Sequence, residues 1–277
     1  MNMVAFNYAR WIAKRITSSM NVDRKIFIIG GPGTGKSMTG FALAKKLAKW
    51  VSYYKYGNFD HADEFFKFDK DHIAVINTLD LIHVMTAKLV KHSIKIIDDC
   101  GSAQGFTGRR AMSAENIDMA SIYGTNRTDN GVTIYCVQDE TFTDLRMRKL
   151  ADDVIDLNDY IQRGPLRIGK LWKLKRDKQN NKKINKARFM TYDNGHWLSI
   201  ESFSTFLPEP EDKKKYDELR KVKEAENSRT ISERYTKIIV NDKVEQEKQR
   251  CPYCNSIRLY YSSKYNRTTC RGCGKTL

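Results

Sequence analysis

Eight consecutive residues hold the clearest chemistry in this chain. Gly30-Gly31-Pro32-Gly33-Thr34-Gly35-Lys36-Ser37 fits the pattern G-x-x-x-x-G-K-[ST] without a mismatch. Glycines let a loop wrap closely, so that its backbone N–H groups and the positive end of a following helix converge on the oxygens of a polyphosphate. Lys36 would reach the outer phosphates of ATP, and Ser37 would hold Mg²⁺. With Met38 after them, these residues make up the expected nucleotide-binding loop. Its neighbours are what the motif requires: an apolar run, Ile26-Phe27-Ile28-Ile29, before it and a helical pattern from Gly40 to Trp50 after it.

The second group is acidic. Ile94-Lys95-Ile96-Ile97-Asp98-Asp99 is an apolar strand ending in two carboxylates, and α/β folds present such groups at the carboxyl edge of a parallel sheet, facing the phosphate loop. Asp98 would bind the hydration shell of Mg²⁺, and Asp99 would orient or deprotonate the attacking water. Gly131 to Val137 reads as another buried strand, and Gln138 at its end could hydrogen-bond water or the γ phosphate. Arg127 precedes that strand; Arg146 and Arg148 follow it. A permanently charged guanidinium can complete the γ-phosphate site of a neighbouring subunit in ring ATPases, so these three are the candidate fingers.

The third group is C-terminal. Cys251 and Cys254, then fifteen residues, then Cys270 and Cys273 form two C-x-x-C pairs, a zinc-ribbon spacing that offers four thiolates to tetrahedral Zn²⁺. Four protein ligands leave no open position, so the metal is structural, and a module of ~25 residues depends on it for stability. Arg258, Lys264, Arg267 and Arg271 among Tyr260, Tyr261 and Tyr265 suit contact with nucleic acid or docking on a protein. Cys100 and Cys136 stand alone in apolar segments and read as buried small hydrophobes, which implies a reducing, cytoplasmic setting.

The elements that must position these groups follow a βα alternation. Ile73 to Ile76 reads as a strand, Leu79 to His92 and Asn116 to Thr128 as helices, and Val154 to Leu157 as the strand that closes the sheet. The aromatic stretch from Val51 to Asp71 gives no clear assignment. The expected fold is α/β: a P-loop NTPase of RecA-like type, with a mainly parallel sheet covered on both faces. Gly101 to Arg110 is a basic, small-residue loop that either touches a polyanion or is solvated.

From Leu166 to Met190 the pattern alternates and predicts a β-hairpin, with ten Lys or Arg against one Asp. It either faces DNA or is an edge that its lysines protect from aggregation. Asp193-Asn194-Gly195 marks a tight turn, with Trp197 and Phe203 beyond it packing back on the core. The expected organisation is an amphipathic helix over 1–20, an ATPase domain over 21–206 with the hairpin at about 166–190, a charged helical spacer over 207–250, and the ribbon over 251–277. Phe6, Trp11, Ile12 and Ile16 interleaved with Arg10, Lys14 and Arg15 make the first segment suited to its own core, a neighbouring subunit, a membrane surface or DNA. It has neither the continuous apolar core nor the cleavage site of a signal peptide. No apolar run reaches the ~18 residues of a membrane span.

The net charge of +16 and pI near 9.5 point to a polyanionic partner, most simply nucleic acid, and count against a small-molecule kinase.

Taken together, the loop Gly30 to Ser37, the acids Asp98 and Asp99, and Gln138 preceded by Arg127 resemble the FtsK/HerA superfamily of DNA-pumping ATPases. The chain looks most like the compact genome-packaging or DNA-transfer ATPases of archaeal viruses and plasmids. The resemblance spans about Lys25 to Asn158. It implies a homo-oligomeric ring, usually hexameric, that moves double-stranded DNA in the cytoplasm of a prokaryotic host, with capsid or transfer-machinery proteins as further partners. Asp99 departs from the commoner Glu. Two other readings stand beside it: an assembly or switch ATPase acting on a protein, resembling the filamentous-phage morphogenesis proteins, and a ribbon regulator gated by nucleotide.

Overall fold

The computed structural model describes residues 6–19, 22–75, 78–98, 129–138, 151–163, 166–176, 184–193, 196–248, 253–254, 259–262 and 267–276. They fall into two compact units, Met1–Lys223 and Glu224–Leu277.

The first unit is built on β1 (Arg24–Ile29), all six residues of which are buried. Strand residues alternate between sheet faces, and because both faces of a parallel sheet are covered, neither set can be polar. Ile26 and Ile28 therefore join one core with α1 (Tyr8–Ile16) and α2 (Lys36–Tyr56). Phe27 and Ile29 join a second core with Leu81, Val84 and Met85 of α4 (Thr78–Thr86). Each such side chain, taken fully out of water, contributes about 1.5–3 kcal/mol.

Five strands run parallel, in the order β2 (Ile73–Val75), β3 (Ile94–Asp98), β4 (Val132–Val137), β1 and β5 (Asp153–Arg163). The fold is thus a mostly parallel sheet with helices on both faces, as expected for a P-loop NTPase. The loop after β1 and the end of β3 lie at the same edge, one strand apart.

Several elements differ from the sequence expectations. The sheet does not close at Leu157. β5 runs on to Arg163, and its other edge takes antiparallel β6 (Leu166–Arg176), whose far edge is shared by β9 (Ser202–Phe206) and β7 (Ile184–Asp193). β7 then pairs antiparallel with β8 (His196–Ile200), Asp193 standing opposite His196. The basic hairpin is β6–β7, joined to the parallel strands through β5.

Helix α2 continues past Trp50 to Tyr56 and stops at Gly57, whose φ of 78° and N–H to the Tyr53 carbonyl form a left-handed cap. A four-residue α3 (Ala62–Phe65) follows. Helix α4 ends at Thr86, well before His92, which itself has φ 72° and donates its N–H to the Asp129 carbonyl. The apolar period runs on through Leu89 and Val90, but the chain must turn there to enter β3.

Of the surfaces open to the N-terminal helix, α1 uses the protein's own core: Tyr8, Ala9, Ile12, Ala13 and Ile16 are buried. Tyr8 donates to Asp153 at the start of β5, which Arg24 also faces. Phe203 is buried as expected. The helix predicted over 116–128 and the loop Gly101 to Arg110 lie outside the described residues, as does Cys100; Cys136 is buried in the first core.

The charged stretch forms one long helix, α5 (Pro210–Lys248). Its first turns belong to the first unit and bury Asp212 and Tyr216. In the second unit, β10 (Leu259–Ser262) and β11 (Arg267–Cys270) pair as an antiparallel hairpin.

Candidate functional site

The phosphate loop leaves β1 at Gly30 and enters α2 at Lys36. Gly33 and Gly35 have φ of 77° and 76°, a region that side chains with a Cβ rarely enter. Thr34 closes the turn on Gly31 through both its N–H at 3.4 Å and its Oγ1 at 2.9 Å. Lys36 Nζ donates to the Gly31 carbonyl at 2.9 Å, which holds the ammonium over the loop. The N–H groups at the start of a 21-residue helix, with an adjacent ammonium, suit the oxygens of a polyphosphate.

Ser37, one residue into α2, donates its Oγ to Asp98 Oδ1 at 2.8 Å. Asp98 is 5% exposed. A hydroxyl and a carboxylate oxygen this close form the donor set that Mg²⁺ prefers, since hard oxygen ligands bind it directly or through water. The residues therefore fit a magnesium nucleotide: Ser37 and Asp98 would hold the ion, and the metal would offset phosphate charge.

Strand β4 lies between β1 and β3, which explains where Gln138 emerges. Val137 is in register with Ile29 and Tyr135 with Ile97, so Gln138, exposed at the bend after β4, sits at the same edge as the loop and Asp98. Asp99, Arg127, Arg146 and Arg148 lie outside the described residues.

Three residues at this site carry no motif and escape sequence reasoning. Asn158 accepts from the Gly31 N–H at 3.1 Å and is itself oriented by Asp156 Oδ1 at 3.0 Å. It sits where the β5–β6 register shifts between Asp156 and Ile161; an irregularity in a ladder frees a side chain to be re-aimed. Arg167 of β6, 6% exposed, donates Nη1 to the Thr34 carbonyl at 2.6 Å and stacks 4.7 Å from the Tyr160 ring. Burial lowers its pKa from the usual arginine value, yet guanidinium remains charged at any working pH. Tyr216 of α5 donates its hydroxyl to Asp98 Oδ2. Burial, and then the charge of Asp98, pushes the phenol pKa up, which keeps it a donor.

In the hairpin, the lysines differ in surroundings. Lys170 pairs with Asp159 at 2.8 Å on the surface. Lys173 stands opposite Asp153 in the β5–β6 ladder, and burial, with Arg24 second, lowers its pKa. It is thus tied to the sheet. Lys178, Lys182 and Lys183 lie outside the described residues.

In the second unit the sulfurs of Cys254, Cys270 and Cys273 lie within 4.8 Å of one another. The Gly272 N–H points at Cys270 Sγ at 3.2 Å, a bond that stabilises a thiolate. The Gly274 N–H closes the turn on the Cys270 carbonyl at 2.8 Å. Three converging thiols fit Zn²⁺; Cys251 lies outside the described residues.

Comparison with known proteins gives no matching protein-family model and no matching curated protein. Among solved structures, the chain is similar to the genome packaging NTPase B204 from Sulfolobus turreted icosahedral virus 2 in complex with ATP-gammaS. Identity there is 16%, over 53% of this chain and 79% of that one, with a TM-score of 0.34. B204 from Sulfolobus turreted icosahedral virus, a DNA-packaging ATPase, gives 18% identity over 53% and 79% with a TM-score of 0.31. The N-terminal domain of zonular occludens toxin from Neisseria meningitidis gives 18% over 62% and 96%, with a TM-score of 0.30. What this chain's site can do is carried by its own residues.

Proposed function

We propose that the protein hydrolyses ATP and uses it to move double-stranded DNA, in genome packaging or DNA transfer, as a homo-oligomeric ring. The observation that carries the reading is the pairing of Ser37 with Asp98 at 2.8 Å beside a loop spanned by Lys36. That arrangement has a magnesium side and a phosphate side, as a nucleoside triphosphate does. Asp99 and Gln138 would position the attacking water from adjacent strand ends. In-line attack on the γ phosphorus needs that water placed and the developing charge offset. Lys36 supplies one charge, and an arginine of a neighbouring subunit, Arg127, Arg146 or Arg148, would supply another.

The DNA partner is supported by the net charge of +16 and by the basic hairpin β6–β7. Phosphate contacts of this kind release counterions and make binding fall with salt. The ribbon, folded around Zn²⁺, is a second candidate contact for nucleic acid or protein. Among the described residues no helix is long and apolar enough to cross a membrane. The setting we infer is the cytoplasm of a prokaryotic, most simply archaeal, host, for a gene carried by a virus or mobile element.

The deciding experiment measures the ATPase rate of zinc-loaded protein with and without double-stranded DNA, with Lys36→Ala as the blank. Strong stimulation by DNA supports the motor. Hydrolysis indifferent to DNA turns the reading to an assembly or switch ATPase acting on a protein.

A further inference from the structure

Tyr216 lies in a lysine- and glutamate-rich stretch, yet it is 3% exposed and its ring packs against Phe41 of α2 with centroids 4.6 Å apart. Its hydroxyl donates to Asp98 Oδ2, while Ser37 Oγ donates to Oδ1. The two oxygens of one buried carboxylate are thus committed to different elements: Oδ1 to the start of α2, Oδ2 to α5.

We propose that Tyr216 is a positioning residue of the magnesium–nucleotide site, holding Asp98 by Oδ2 so that Oδ1 stays beside Ser37 to receive the metal's ligand shell. The proposal rests on the reading of this site as one for magnesium ATP.

Two further contacts on α5 brace the tyrosine. Asp212, one turn before it, pairs with Lys45 of α2. Lys223, about two turns after it, reaches Asp80 of α4 at 3.1 Å. Spacings of four and seven residues place all three on one helix face, and that face bridges α2, the end of β3 and the start of α4. Asp212 is buried, and the Lys223–Asp80 pair is about four-fifths covered. The Lys223–Asp80 pair is screened less by salt than a surface pair; with it, the Asp212–Lys45 pair, whose lysine is 39% exposed, and Tyr216 hold the helix start against the core at three points. A carboxylate fixed by an outer hydrogen bond presents its remaining oxygen in one direction; removal of such outer partners typically weakens metal binding 10- to 100-fold.

The test uses the full chain and Tyr216→Phe, which keeps the ring on Phe41 and removes only the hydroxyl. Binding of a fluorescent ATP analogue is measured against free Mg²⁺, and once more with Mg²⁺ chelated. The Mg²⁺ needed for half-saturation should rise about tenfold, while metal-free binding stays unchanged. An unchanged Mg²⁺ dependence, or equal weakening of both, overturns the proposal. A second measurement needs no variant: backbone amide exchange over residues 212–223 of the wild type, with nucleotide, with and without Mg²⁺. Opening of the helix start releases Asp98, so bound metal must slow exchange there; equal exchange in both conditions overturns the proposal even if Tyr216→Phe does not fold. Wild-type protein that binds no nucleotide in either condition overturns the reading of the site itself, whereas Mg²⁺-dependent binding that Tyr216→Phe leaves untouched overturns the role of Tyr216 alone.

Discussion

Arg167 and Gly35 contend for the same space: a Cβ on residue 35 would lie 1.5 Å from Arg167 Nη1. The same guanidinium holds the Thr34 carbonyl at 2.6 Å. The phosphate loop is therefore gripped from outside by β6, the strand that also forms the basic hairpin.

A double-mutant cycle measures that grip. Gly35→Ala carries two costs, the positive φ and the clash with the guanidinium, and should destabilise the chain by more than about 1–3 kcal/mol, the cost of backbone strain alone. In an Arg167→Ala background the clash is gone, so the cost of Gly35→Ala should drop by about 0.5–3 kcal/mol. Thermal or denaturant unfolding of the four proteins gives the answer; additive effects would show that the two residues do not meet.

Lys36→Ala should abolish ATP hydrolysis and leave DNA binding intact, because Lys36 is seated on the loop, through Gly31, and the hairpin lies beyond β5. Loss of both functions together would contradict the separation of the two sites. Phosphate release and a filter-binding or anisotropy titration read the two separately.

Neutralising Lys178, Lys182 and Lys183 should flatten the dependence of DNA affinity on salt, by about one unit of log–log slope for each DNA phosphate that is no longer neutralised. Lys173→Ala should change that slope little, because Lys173 is tied to the sheet opposite Asp153. A full slope in the triple variant removes these three lysines from the DNA interface.

His92 provides a pH signature. Burial, and secondarily the charge of Lys55, holds its imidazole below the usual 6.5. The neutral form is favoured in the fold, so the unfolded chain takes up the proton first. Stability from this group is complete above about pH 6.5 and declines as pH falls through that value toward the lower folded pKa. His92→Asn tolerates the φ of 72° and cannot titrate. Its unfolding midpoint should therefore fall less than the wild type's between about pH 8 and pH 5, and parallel curves would show that His92 carries no such linkage.

Chelating Zn²⁺, or Cys254→Ser, should unfold the ribbon and leave the first unit's melting transition in place. Among the described residues of the second unit, Cys270 is the one buried hydrophobic, and Cys254 and Cys273 beside it are exposed; the metal supplies the stability of such modules. Tyrosine fluorescence of residues 251–277 and calorimetry of the whole chain distinguish the two units.

The phosphate loop, the strand ending in Asp98 and the βα alternation were legible in the sequence because each follows from local periodicity and residue type. The same holds for β6–β7, where polar and apolar residues alternate. What escaped is what depends on distant packing. Asn158 and Arg167 reach the loop only because β5 and β6 pair with a shift in register, and no local pattern marks where a ladder will slip. Tyr216 sits in a stretch whose charge density reads as solvated helix, and its burial becomes visible only once Asp98 and Phe41 are in place beneath it. The end of α2 was marked in principle: Gly57 follows the last helical turn, and only the aromatic crowding from Tyr53 to Phe59 obscured it.

The pairing of β1 has a consequence for how the chain acquires its site. Arg24 lies opposite Val132, and Ile26 opposite Asp153, so the strand that launches the phosphate loop pairs with residues made long after it. Closing loops of this length precedes any stabilising return, which slows folding. During synthesis the loop sequence emerges early, but it stays unassembled until β5, β6 and the start of α5 have left the ribosome. A nascent chain cut short before Tyr216 would therefore lack the outer partner of Asp98, which ties completion of the proposed nucleotide site to the emergence of α5.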